Sequence, residues 1–231
     1  MLSVLAAATA GPYVHITIPP HNKTVDWKWP GDPATIRVSM NYVVLAGTGG
    51  PPNPGHTTSA LFDGVTPGGA PPSSEHWTTD GRMGVRAYFN NSGIRFRVVV
   101  TNTLTVSRKH LRDGSETEYR RIVGRQHRRD CINVYIVPTL VADHRGRFPG
   151  ISVKVPAPAA IVYEPHPRRL AHEIGHLLGL GHTDRGVMWS LHPPVLKLKE
   201  GRLRNGAFTP GQVKKMHRTL SRKKELLARQ P

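Results

Sequence analysis

Residues 172 to 182 read His-Glu-Ile-Gly-His-Leu-Leu-Gly-Leu-Gly-His, and no other stretch of the chain limits its fold so tightly. His172 and His176 are four residues apart, so on a helix they project from one face. Leu170, Ile174, Leu177 and Leu178 supply an apolar stripe for that helix, and Pro167 suits its first turn. Gly179 offers the left-handed conformation in which a helix stops and the chain turns back. His182 then arrives from outside the helix as a third imidazole. Three imidazoles with an open fourth position describe a catalytic zinc site, because a structural zinc takes a fourth protein ligand and none stands nearby in sequence. Glu173, beside the first ligand, is the carboxylate able to reach a water in that open position. In a chain with 13 His, 15 acidic residues and 23 Gly, the five fixed positions coincide by chance on the order of a few times in ten thousand. A buried helix with ordinarily hydrogen-bonded histidines gives no reason for the spacing.

The rest of the chain predicts a sheet against which that helix packs. Thr35 to Leu45 alternates in the manner of a half-buried strand, and so does Ile94 to Val106 before it becomes continuously apolar. Ile132 to Val137 is apolar enough for the centre of a sheet. Two short strands, Ile151 to Val155 and Ala159 to Tyr163, are separated by Pro156 and Pro158, which places the first at a sheet edge. Residues 47 to 74, rich in Gly and Pro, read as a long exposed loop. Thr79 to Asn91 carries a weak helical pattern, and residues 107 to 130 read as a charged excursion or hairpin. Thr209-Pro210-Gly211-Gln212 caps a last amphipathic helix with Val213, Met216 and Leu220 on one face. These elements predict an α+β, α/β-like fold: a twisted mixed five-stranded sheet backed by helices, with the zinc-binding helix at a cleft.

With 231 residues the chain is long enough for one domain with a real core. We expect an irregular N-terminal extension over 1–33, a signal stub or a prosegment, and a catalytic domain over 34–231 that ends in a basic helix at 209–229. No apolar run reaches membrane-spanning length. Cys131 is the single cysteine, so an internal disulfide is excluded, and it reads as a buried thiol at a strand start. Lys and Arg number 32 against 15 Asp and Glu, a formal charge of +17. From Lys197 onward stand eleven Lys or Arg against Glu200 and Glu225. Such a surface attracts polyanions without specificity, although a solvated helix face explains it as well. Aromatic residues do not interleave with the run, which excludes a platform for stacking single-stranded bases.

The elongated motif from His172 to His182, followed by Gly186-Val187-Met188-Trp189-Ser190, resembles the signature of the metzincin zinc peptidases. The resemblance implies a metzincin-like architecture from Thr35 to the last helix and makes Met188 the Met-turn residue, an apolar floor beneath the metal. Asn133 to Val137 and Phe208 to Gln212 look pappalysin-like, whereas the zinc segment reads equally like a matrixin. Thr183 follows His182 where matrixins carry Ser and pappalysins Asn, so the subfamily stays open. Ser190 stands where astacins and serralysins have a tyrosine. The cysteine switch of the matrixins is absent, and Asp26 or Asp32 is more simply a solvated loop carboxylate than a group that blocks the metal.

Together these readings describe a zinc-dependent endopeptidase with one catalytic zinc held by His172, His176 and His182. Glu173 would activate the zinc-bound water and pass its proton to the leaving amine. The resemblance further implies an extended protein or peptide substrate that pairs with the edge strand at Ile151, Ser152 and Val153, and a pocket lined by residues between Met188 and Phe208. It implies a secreted, extracellular protein. A calcium ion in the long loops has no supporting ligand pattern. Two other readings compete: a metallopeptidase tethered to nucleic acid by its basic surface, and a non-catalytic binding module on a protease fold. The intact Glu173 speaks against the second.

Overall fold

The structure is a computed structural model that describes residues 28–47, 54–63, 84–110, 115–123, 127–138, 141–142, 146–147, 150–153, 158–163, 165–183, 187–188 and 208–227. Alternating apolar residues build the two longest strands, β1 (Ala34–Leu45) and β2 (Ile94–Val106). Between them lie helices α1 (Pro54–Asp63) and α2 (Val85–Tyr88). Helix α3 (Glu116–Val123) precedes β3 (Ile132–Val137), every residue of which is buried. Two short strands, β4 (Val141–Ala142) and β5 (Gly146–Arg147), pair with each other. Strands β6 (Gly150–Val153) and β7 (Ala159–Tyr163) lead into α4 (Pro167–Leu177), and α5 (Pro210–Arg222) follows.

The sheet order is β2-β1-β3-β7-β6. Strands β2, β1, β3 and β7 run parallel, and β6 pairs antiparallel with β7 at the edge. The edge position expected for Ile151 to Val153 is therefore where this backbone lies, while Lys154 and Val155 fall outside the described residues.

The two-residue period of the strands sorts side chains into two cores. Ile132, Val134 and Ile136 of β3 join Ile36, Val38 and Met40 of β1 and the apolar faces of α4 and α5. Tyr135 and Val137 face the other way and join Tyr119, Ile122 and Val123 of α3. Helices thus cover both faces, an α/β layering in which the all-buried β3 is central. Buried Asn41 and Asn133 hold neighbouring segments together: Asn41 donates to the Val134 carbonyl and accepts from Asn102, and Asn133 donates to Arg128 O and accepts from Arg128 N. Among the described residues no helix is long and apolar enough to cross a membrane.

Three local expectations need correction. The stretch expected as an exposed loop over 47 to 74 contains α1, whose Leu61 and Phe62 are buried in the main core. Phe62 packs at a tilt on Phe96, and Thr58 meets the Tyr42 hydroxyl at 2.8 Å, so tertiary contacts make a helix where Gly and Pro in the sequence suggested none. Residues 107 to 130, expected as a charged excursion or hairpin, contain the helix α3, whose apolar face is laid on the second core. The helical pattern over 79 to 91 is one turn, Val85–Tyr88, followed by a turn to Gly93, with 79–83 outside the described residues. Residues 1–27 of the expected extension, Asp26 among them, are also outside them, as is the stretch 189–207 expected to line a pocket.

Candidate metal centre

Helix α4 carries His172 and His176 on its exposed side, while Leu170, Ala171, Ile174 and Leu177 are buried against the sheet. It packs on β6 and β7, so the two imidazoles stand beside the sheet edge. The helix ends as its sequence dictates. Gly179 adopts φ +89°, its N–H bonds to His176 O at 3.0 Å, and Leu180 N bonds to Gly175 O at 3.0 Å. This pair of bonds across a left-handed glycine is a Schellman turn, which reverses the chain within three residues of His182. A side chain at 179 would also meet Thr219 Oγ1 of α5 at 2.6 Å.

The reversal brings the three imidazoles together. His176 Nε2 lies 3.0 Å from His172 Nε2 and 3.0 Å from His182 Nε2, and the ligand atoms of all three fall within 4.8 Å of one another. The opposite nitrogens fix the proton positions. His172 Nδ1 donates to Val187 O at 2.8 Å and His176 Nδ1 donates to Leu180 O at 2.9 Å. A carbonyl only accepts, so both Nδ1 atoms carry hydrogen and both Nε2 atoms present lone pairs. Lone pairs converging at this distance repel unless a cation stands between them. A four-coordinate zinc with Zn–N bonds of about 2.0–2.1 Å separates its ligand nitrogens by roughly 3.3 Å, close to the spacing found. The donor set fits a divalent metal that prefers nitrogen.

The electrostatics agree. Burial holds the His172 imidazole down to about 4, so it is neutral at pH 7. Glu173 is 6% exposed, and among the described residues no hydrogen bond or ion pair reaches its carboxyl. Burial pushes that carboxyl up to about 8. An almost enclosed carboxylate without a protein partner is costly, and such groups concentrate at functional sites.

Val187 and Met188 pack against α4 beside the histidine cluster. Val187 O accepts from His172, and Met188 O accepts from Thr183 N at 2.9 Å, one residue beyond His182. Two successive carbonyls therefore hold the neighbourhoods of the first and third imidazoles. Met188 is fully buried, and its Sδ would lie 2.3 Å from a Cβ at position 175. The sequence reading passed over Gly175. A glycine inside a helix costs about 1 kcal/mol against alanine, and that cost was the available signal that something approaches there. The accepting carbonyls of Leu180 and Val187 leave no mark in sequence, because any residue type supplies one.

Other candidates stand apart. Asp32 is exposed and does not belong to the histidine cluster. Cys131 is buried at the start of β3, its thiol pushed up by burial and by neighbouring Asp130, and it too is outside the cluster. Ile151, Ser152 and Val153 contribute a backbone edge. Asp26, Trp189 and Ser190 lie outside the described residues.

No family model matches the sequence, and no curated protein matches it. Among solved structures the chain is similar to metalloproteinase-II from Bacteroides fragilis, with 18% identity and a TM-score of 0.41. The alignment covers 84% of this chain and 55% of that one, so the chain spans little more than half the length of that structure.

Proposed function

We propose that this protein is a zinc-dependent peptidase of metzincin type whose metal is held by His172, His176 and His182. One observation carries the reading: the Nε2 atoms of His172 and His176, their proton positions fixed by two backbone carbonyls, converge with that of His182 at metal-ligand spacing. The neighbouring Glu173, buried and without a partner among the described residues, supports catalysis over mere storage of a metal.

When bound, zinc supplies Lewis acidity toward a scissile carbonyl and makes a nearby water more acidic. The residues of the chain do the rest. The carbonyls of Val187 and Leu180 keep the first two imidazoles in the ligating tautomer. Glu173 accepts a proton from the attacking water and returns it to the leaving amine. Its burial raises its proton affinity, and a nearby dication draws it back toward neutrality, which suits a group that must both take and give a proton at pH 7. The edge of β6 beside α4, which no described strand occupies, suits an extended peptide, which would add as a further strand. Met188 acts as the apolar floor and does not ligate.

The test compares Glu173→Gln with His176→Ala. Glu173→Gln is expected to retain one zinc per chain and to lose hydrolysis of an unbiased peptide library by at least 100-fold, the span of general-base catalysis. His176→Ala is expected to lose both metal and activity. Wild-type turnover in Glu173→Gln, or wild-type cleavage in the presence of a chelator, defeats the proposal.

A further inference from the structure

Helix α5 contains five basic side chains, Lys214, Lys215, His217, Arg218 and Arg222, and no acidic one, and its capping box at Thr209 and Gln212 is complete. Val213, Met216 and Leu220 are buried in the main core. Lys214, Lys215, Arg218 and Arg222 are exposed, and among the described residues no carboxylate pairs with any of them. At 3.6 residues per turn these four cations fall within an arc of about 100° on the side opposite the buried stripe. They occupy roughly 12 Å of helix length at a 1.5 Å rise per residue. Gly211 falls inside that arc and Ser221 at its margin, so the arc holds no aromatic, apolar or acidic side chain.

We infer that this face of α5 docks on B-form DNA, its cations meeting the phosphates that wall the major groove. The alternatives fail on the same residues. An arc without aromatics has nothing on which single-stranded bases stack. A helix whose apolar side is buried in the core has none to insert into a lipid surface, which leaves only the weak attraction of its cations to anionic headgroups. The deep, narrow major groove of A-form RNA does not admit side chains. A helix about 10–12 Å across does enter the major groove of B-DNA, which is about 12 Å wide, and cations spread around a convex arc then face both walls. A sulfated polysaccharide supplies charge but no groove of helix width to seat the rod. The contacts go to phosphates, so the binding is indifferent to sequence. Helix α5 is anchored elsewhere, by His217 stacked on Trp29 at 4.0 Å and donating to Ser92 O at 2.7 Å, so the basic face is presented by a fixed rod. The inference is independent of the metal centre.

The test is fluorescence anisotropy of the full chain with a labelled mixed-sequence DNA duplex across a salt series. Four phosphate contacts predict a log–log salt slope of about −3.6, which is a roughly 150-fold loss of affinity between 50 and 200 mM salt. The variant Lys214→Gln, Lys215→Gln, Arg218→Gln, Arg222→Gln loses most of that slope with an unchanged unfolding midpoint. A control, Arg95→Gln with Arg97→Gln on exposed positions of β2, keeps it. An unaltered slope in the α5 variant overturns the inference. So does tighter binding to single-stranded DNA, to a sulfated polysaccharide or to phosphatidylserine vesicles than to the duplex.

Discussion

Replacing Gly175 by alanine tests how the metal site is held together. A Cβ at this position stands 2.3 Å from Met188 Sδ and 3.2 Å from Met188 Cε, so the thioether must retreat by more than 1 Å. Methionine is adaptable, but Met188 is fully buried, and forcing a methyl into a packed site costs about 1–3 kcal/mol. Alanine returns about 1 kcal/mol through helix propensity. Gly175→Ala should therefore destabilise the wild-type background by about 0–2 kcal/mol. In a Met188→Ala background the obstacle is gone, and the same substitution should stabilise by about 1 kcal/mol. The coupling energy of the cycle is then about 1–3 kcal/mol, measured by urea unfolding of all four metal-free proteins. The displaced turn carries the carbonyl that orients His172 and the one that binds Thr183 N, so zinc affinity in Gly175→Ala should fall by about 10–100-fold. Additive stabilities across the cycle, or wild-type zinc affinity in Gly175→Ala, would refute the role assigned to this contact.

Two further perturbations probe the surroundings. Gly179→Ala places a side chain at φ +89° and against Thr219 Oγ1, so it should cost about 1–2 kcal/mol from the backbone alone, and Thr219→Ala should not restore that part in a double variant followed by urea unfolding. His166 is held down to about 4, first by burial and then by Arg169 and Arg168, and its Nδ1 is buried without a partner. Between about pH 6.5 and pH 4 the unfolded chain binds a proton that the folded chain refuses, so this group makes stability fall as pH falls. From pH 7.5 to 5.0 its share is about 2 kcal/mol, and His166→Phe in the metal-free protein should reduce the pH dependence of the urea midpoint accordingly. An identical pH dependence in the variant would show that His166 titrates normally.

The parts of this molecule legible in sequence are those whose cause is local. The three imidazoles and Gly179 fall within eleven consecutive residues, 172 to 182, and the Schellman turn that gathers them follows from the glycine itself. Strands β1 and β2 announce themselves by a two-residue period, and β3 by an unbroken apolar run that suits burial on both faces. Helix α1 does not, since Leu61 and Phe62 earn their helical conformation from Phe96, a residue on another element. Asn91 bonding to Phe208 O at 2.7 Å, and Trp29 stacking on His217, join segments more than a hundred residues apart that carry no common pattern.

The same division runs through the site and explains why a motif alone does not make a metal centre. Spacing places the rings on one side of α4, but an imidazole can carry its proton on either nitrogen, and only a lone pair binds metal. For His176 the choice is local: the Gly179 reversal delivers Leu180 O to its Nδ1. For His172 it is made by Val187, fifteen residues away, through a turn that Met188 seats against Gly175. A chain with all five fixed motif positions but a bulkier residue at 175 would keep the second ligand's tautomer and loosen the first. On the proposed reading, the glycine between the two ligands therefore tunes metal affinity that the histidines on either side of it create.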